Sequence, residues 1–246
     1  MTGKTLLNKT GLRSLETYYE PIMNTDFGSV VAYRTSVRIN DPDMGVLLPD
    51  IYLPVAERTT LANRVSLWAI DDISLNIPKF KNRGAYFEFI TVYIPFNLLT
   101  SDDFCSRFLK YISDNGTSAE DVCIEVSSSI FTYDTKTSQR SLLKFTENGI
   151  KTMLSDFGRG CAFIGRLEEF RFNYVMLDSI LSANLISDDE RKISMANSVF
   201  DLISAQDSIP IATGVRNLEI QRALPKSCVN FTGSRAGRMK KAASIR

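Results

Sequence analysis

The 246-residue chain carries 29 Lys and Arg against 28 Asp and Glu, four Cys, no His and 44% hydrophobic residues. That composition supports a large buried core and excludes collagen-like, disordered and disulfide-stapled classes. Without histidine there is no Ser-His-Asp or Cys-His catalysis, no imidazole acid or base and no His-containing zinc site, so chemistry would rest on carboxylates, lysines, tyrosines, thiols or oxygen-ligated metals.

Residues 1–17 hold no apolar stretch long enough for a signal peptide or a membrane span, so a cytoplasmic location is expected. They read either as a lead-in helix or as a junction cut from a longer protein. Beyond them, short apolar runs rich in β-branched and aromatic residues predict strands over 30–39, 86–94, 122–126, 151–154, 174–177, 209–212 and 228–231. Apolar spacings of three and four predict helices over 50–57, 61–76, 101–115, 137–148, 162–170, 188–206 and 217–224. Cys105, Cys123, Cys161 and Cys228 form no Cys-x-x-Cys pair, and reduced, buried thiols are the expectation. Trp68, with Leu67 and Ile70, reads as core packing.

Strands and helices that alternate with short links demand a parallel sheet, either open or closed, because parallel neighbours need a crossover. Length and the number of units favour one α/β domain over 18–238, a TIM-like (β/α)8 barrel. From Arg222 onward there are seven basic residues and no acid, so the rest of the chain is net acidic. Residues 239–246 read as a solvated basic tail. No aromatic residue follows Phe231 to stack on bases, which argues against nucleic-acid contact.

In a parallel barrel, functional side chains sit at the carboxyl ends of the strands. Those ends carry Arg34 and Arg38, Tyr93, Glu125, Ser155 and Asp156, Asp178, and Thr213 with Arg216. Their order and spacing resemble the EAL domain, the cyclic di-GMP phosphodiesterase barrel. Leu154-Ser155-Asp156-Phe157-Gly158-Arg159-Gly160 resembles the family's DDFGTG loop, Tyr19-Glu20-Pro21-Ile22 resembles YQPI, and Tyr52-Leu53-Pro54-Val55-Ala56-Glu57 resembles FIPLAE. Cys123-Ile124-Glu125-Val126 resembles LEIT, Met176-Leu177-Asp178 resembles KID, and Ala212-Thr213-Gly214-Val215 resembles AEGV.

The resemblance implies an EAL-type barrel whose active members use two divalent ions, Mg²⁺ or Mn²⁺, held by carboxylates and an amide. Carried over residue by residue, the site is degenerate. The Glu of the Glu-Ala-Leu signature falls on Arg34, the Asn ligand on Tyr93, the first paired Asp on Ser155, the Lys of KID on Met176 and the Glu of AEGV on Thr213. Glu125, Asp156 and Asp178 remain as vestigial metal-binding carboxylates. Ions about 3.5–4 Å apart need several carboxylates to offset their repulsion, and a guanidinium 4 Å from a cation adds roughly 4 kcal/mol of repulsion at an effective dielectric of about 20. No intact catalytic set and no cofactor are therefore expected, with Mg²⁺ or Mn²⁺ entering only if activity remains.

Arg34 is expected to turn inward onto Glu125 or Asp156. Arg38 matches the Arg that contacts the ligand's phosphate in the family, and its alternative is a surface salt bridge. Glu57 reads either as a family position near the site or as a helix acid paired with Arg58 or Arg64. Arg159 replaces a small hydroxyl residue in the loop that couples site and dimer interface in active relatives. The implied protein is a bacterial signalling scaffold that binds a protein partner. The alternatives are a metal-independent cyclic di-GMP receptor and a residual phosphodiesterase, and a homodimer would form through the helix after the Asp156 loop.

Overall fold

The computed structural model describes residues 14–41, 43–158 and 164–245. Eight strands close a ring: β1 (Ser14–Asn24), β2 (Val30–Asp41), β4 (Phe89–Tyr93), β5 (Val122–Ser127), β6 (Lys151–Phe157), β7 (Tyr174–Leu177), β8 (Ile209–Ala212) and β9 (Asn230–Phe231), which pairs back to β1. Two short strands lie outside the ring, β3 (Gly45–Leu47) on β2 and β10 (Lys240–Lys241) on β1. The helices are α1 (Pro49–Ala56), α2 (Leu61–Asn82), α3 (Phe96–Leu99), α4 (Phe104–Asp114), α5 (Thr135–Thr146), α6 (Ile164–Leu167), α7 (Ser179–Asn184), α8 (Glu190–Ala205) and α9 (Leu218–Ala223). The fold is thus the expected α/β barrel. Among the described residues, no helix is long and apolar enough to cross a membrane.

All seven predicted strands are present, but the ring has an eighth that the apolar pattern did not mark. Residues 14–17 open β1, which runs antiparallel to both β2 and β9, whereas the pairs from β2 round to β9 are parallel. A lead-in helix therefore does not extend through these positions, and residues 1–13 lie outside the described residues. The hairpin turns because the Asn24 side-chain oxygen accepts from the Asp26 and Phe27 amides at 2.8 and 3.0 Å, the Asx geometry that short amide side chains favour.

Helix α2 continues past the predicted end at residue 76, through Pro78, to Asn82. Proline has no N–H to give the carbonyl four residues back. That carbonyl, on Ser74, instead accepts from the buried Thr117 hydroxyl at 3.0 Å. The chain between α4 and β5 thus repairs the helix it packs against, a remedy invisible to local pattern.

The core has two compartments. A large one lies between strands and helices and holds Trp68, Phe80, Phe108, Phe145 and Phe200. A smaller one, inside the ring, consists of Ile22, Ala32, Phe89, Cys123, Met153, Tyr174, Met176 and Ile211. With a side-chain period of two, the next inward-facing residues toward the carboxyl ends are Arg34, Thr91, Glu125, Ser155 and Thr213. An apolar plug therefore carries a polar layer above it, and that layer forms the floor of the site. Cys123 and Cys228 are buried and Cys105 half-buried, with desolvation raising the Cys228 thiol to about 12. Cys161 lies outside the described residues.

The basic carboxyl-terminal segment is not a solvated tail. Its backbone forms β10, with Tyr18 opposite Lys241 and Tyr19 opposite Lys240. Lys241 pairs with Glu16 at 3.0 Å, the Ala242 carbonyl accepts from Arg83 at 3.1 Å, and Ile245 is fully buried. The lysine side chains stay in water while apolar burial of Ile245 and strand pairing fix the backbone.

Candidate functional site

The site is built from the carboxyl ends of β2, β4 and β5, roofed on one side by α1. Arg34 on β2 turns inward and forks onto Glu125 of β5. Its Nε lies 3.1 Å from each carboxylate oxygen, and Nη2 lies 2.5 Å from Oε1. The Thr91 hydroxyl of β4 donates to Oε2 at 3.2 Å, and the same Thr91 oxygen accepts from the Thr35 amide at 3.1 Å. Both oxygens of Glu125 are therefore occupied by protein donors. The Glu125 side chain is 3% exposed and that of Arg34 is 28% exposed.

Planar guanidinium and carboxylate groups meet in this two-point manner with greater strength than a neutral hydrogen bond. Burial penalises the guanidinium charge. The attraction and hydrogen bonds of Glu125, with Glu20 and Asp156 adding to them, outweigh that penalty and raise the Arg34 pKa above its usual value. Arg34 is thus fixed as a cation at the centre of the polar layer.

Tyr93, at the end of β4, donates its hydroxyl to Glu57, the residue that closes α1. Ser127 supports both, lying 3.4 Å from the Tyr93 hydroxyl and from Glu57 Oε1, and is itself 2.6 Å from Ser129. Burial first, then the neighbouring Glu57 charge, pushes the Tyr93 hydroxyl well above the ordinary phenol range. It is a permanent donor. Glu57 accordingly faces the site and not Arg58 or Arg64, because an extended Tyr93 reaches across from β4. Tyr93→Phe should release this tie at a cost of about 1 kcal/mol and speed hydrogen exchange in α1; unchanged exchange there would show that α1 is held by other contacts.

The remaining predicted positions are dispersed into structural tasks. Met176 belongs to the apolar plug and is 1% exposed. Ser155 is buried, with its hydroxyl 3.4 Å from the Val126 carbonyl. Thr213 donates to the Leu177 carbonyl at 2.6 Å. Asp178 caps α7 by accepting from the Ile180 amide at 2.9 Å, an assignment that an Asp before a helix signals in sequence. Asp156 has left-handed backbone, φ 57°, at an irregularity in the β6–β7 pairing, and its side chain is exposed. Arg159 lies outside the described residues.

Arg38 makes no salt bridge among the described contacts. Its guanidinium carbon stacks 3.7 Å from the centre of the Tyr18 ring, its Nη2 is 3.6 Å from the Met239 sulfur, and its Nε is buried without a partner. Sequence reading missed this stack because Tyr18 and Met239 come from β1 and the segment before β10. Arg34, Arg38, Leu48, Tyr52 and Met239 together border a mouth cavity of about 310 Å³. A second cavity of about 280 Å³ joins Arg34, Glu57, Tyr93 and Glu125 to Ser155 and Asp156. Among the described residues, no three carboxylates or thiols converge in a group able to hold a metal ion.

The family model described as EAL domain matches residues 4–232. The uncharacterized protein Rv1354c of Mycobacterium tuberculosis is 24% identical over 166 residues, which are 67% of this chain and 27% of that protein. The probable cyclic di-GMP phosphodiesterase PdeI of Escherichia coli is 20% identical over 218 residues, 87% of this chain and 28% of that one. The chain thus spans little more than a quarter of the length of these relatives. The structure of the EAL enzyme Bd1971, in its cAMP- and cyclic-di-GMP-bound form, superposes with a TM-score of 0.88 at 16% identity, covering 99% of this chain and 68% of that one. At that identity the superposition speaks for the fold, and with the family match it leads to one conclusion: the chain belongs to the EAL-domain family.

Proposed function

We propose that this chain is a catalytically silent EAL barrel that acts as a regulatory protein-binding scaffold in cyclic di-GMP-related signalling. The observation that carries the reading is the Arg34 fork, which supplies a fixed cation where the family resemblance places a metal-binding Glu and which takes both oxygens of Glu125. The donor set does not fit a pair of divalent ions. Two such ions need several free carboxylates, whereas Glu125 is held by Arg34 and Thr91, Asp178 caps a helix, and Met176, Ser155 and Thr213 offer no charge.

A second reading, a metal-independent cyclic di-GMP receptor, draws on the mouth cavity and on Arg38, whose buried Nε has no partner. The cavity is at the lower end of the volumes that hold small ligands, and Arg38 is already stacked and capped by Met239, so the scaffold reading is preferred.

Calorimetry with cyclic di-GMP, with and without Mg²⁺ or Mn²⁺, separates the possibilities. No heat at millimolar nucleotide and no linear dinucleotide product is the expected result. Saturable binding without metal would replace the scaffold with the receptor. Linear product in the presence of metal would make the protein an enzyme.

A further inference from the structure

We infer that residues 239–245 form an autoinhibitory strap: laid along β1, they close Arg38 off at the barrel mouth, and an oxyanion reaches Arg38 only when they lift. The inference goes beyond the scaffold reading, because it concerns access to the barrel mouth in whatever complex the barrel forms.

Contacts along its length place the strap. Met239 sets its sulfur 3.6 Å from Arg38 Nη2 and borders the mouth cavity. Lys240 and Lys241 lie opposite Tyr19 and Tyr18 as β10. The Lys241 Nζ pairs with Glu16 at 3.0 Å and lies 5.5 Å from the centre of the Tyr18 ring, the ring that also receives the Arg38 guanidinium at 3.7 Å. Tyr18 thus meets one cation from the strap and one from β2. The Ala242 carbonyl accepts from Arg83 at 3.1 Å, and Ile245 ends the run in the large core compartment, which also holds Tyr19 and Phe80.

These holds are unequal. The Lys241–Glu16 pair is exposed on both sides, 57% and 40%, where water and salt screen it, and the ladder is two residues long. The main hold is therefore the burial of one apolar side chain, Ile245. Against it stands a cost of the closed form: Arg38 Nε is buried and has no hydrogen-bond partner, and an unsatisfied donor on a charged group is unfavourable. Lifting the strap exposes Ile245 and gives that donor water or an anion. Opposed contributions of this kind make a two-state element, and one held by few buried contacts opens locally while the barrel stays folded. Gly237, at φ +130°, supplies the backbone freedom of a hinge just before the strap. An oxyanion on Arg38 and the strap over it exclude each other, so each weakens the hold of the other by the same factor.

The test labels the arginines of the full chain with phenylglyoxal and reads each site by peptide mass spectrometry. In the parent, Arg38 is expected to react at least tenfold more slowly than the exposed Arg216. Ile245→Asp should raise the Arg38 rate at least tenfold and leave Arg216 unchanged. Arg34, forked onto Glu125, reports on the barrel itself: if its rate climbs together with that of Arg38, the fold has loosened and the decision passes to Met239→Ala. That variant removes only an exposed cap and should raise the Arg38 rate several-fold with Arg34 unchanged. Inorganic pyrophosphate should slow the labelling of Arg38 in the opened variant and, in the parent, speed hydrogen exchange across residues 240–245 several-fold. An Arg38 rate unchanged in Ile245→Asp, or in Met239→Ala where that variant decides, would overturn the inference, as would strap exchange indifferent to pyrophosphate. Heat of cyclic di-GMP binding to the parent would replace the scaffold with the receptor and leave the labelling result standing, so the two failures are told apart.

Discussion

Replacing Arg34 by methionine is expected to lower stability by about 3 kcal/mol, because it strands a buried carboxylate. Glu125 would keep only the Thr91 hydroxyl of its present donors. The partial exposure of Arg34, 28% of its side chain, admits some solvent screening and sets the value at the low end of the range for broken buried pairs. For a chain of this size the loss corresponds to a melting temperature lower by roughly 6–12 °C. Pairing Arg34→Met with Glu125→Leu should restore stability to within about 1 kcal/mol of the parent, since removing both charges removes the desolvation cost along with the attraction. Urea denaturation of the two single variants and the double variant measures this coupling. Additive losses would mean that the fork is not the organising contact of the polar layer. Arg34→Glu should be less stable than Arg34→Met, since it sets two carboxylates against each other, and Mg²⁺ or Mn²⁺ should not rescue it. A metal-dependent rise in its melting temperature would show that the layer still accepts an ion.

A second large effect is expected at Gly233, which has φ +135°. A methyl group there would lie 2.5 Å from the Val215 carbonyl oxygen and 2.6 Å from its nitrogen. Both atoms are already committed, the Val215 amide to the Thr232 carbonyl and the Val215 carbonyl to the Arg235 amide, each at 3.0 Å. No side chain can step aside to relieve the contact. Gly233→Ala should therefore cost about 2–4 kcal/mol, combining an unfavourable φ with a forced backbone shift. Gly28, at φ +61° with nothing within 4 Å of its added carbon, isolates the conformational part, and Gly28→Ala should cost only about 1 kcal/mol. Equal urea midpoints for the two variants would refute the steric account. The position also matters for the site, because Thr232 beside it donates to the Ala212 carbonyl and accepts from the Val215 amide, on either side of Thr213.

The two predictions test different layers of one design. The first concerns a charge pair that fills the polar floor, the second the backbone closure that brings β8 and β9 into the ring. The acids of this layer have protein partners: Arg34 pairs its charge with Glu125, and Tyr93 donates a hydrogen bond to Glu57. Glu125 and Glu57 thus both accept from donors of the protein itself.

The alternation of strands and helices, the barrel class and the placement of Arg34, Tyr93, Glu125 and Thr213 toward strand ends were legible in the sequence, because the period of two in strands and the wider spacing of helices are local properties. So was the inward turn of Arg34, expected from the residual acids Glu125 and Asp156 that its charge could offset, and found on Glu125. The antiparallel entry of β1, the Thr117 repair of α2, the Tyr93–Glu57 tie, the Arg38–Tyr18–Met239 stack and the anchoring of the basic segment were decided by the tertiary structure alone. Each joins residues far apart in the chain through a long side chain or a free backbone edge. The partner such a group finds depends on which distant strand the closed ring brings within reach, and no local periodicity carries that information.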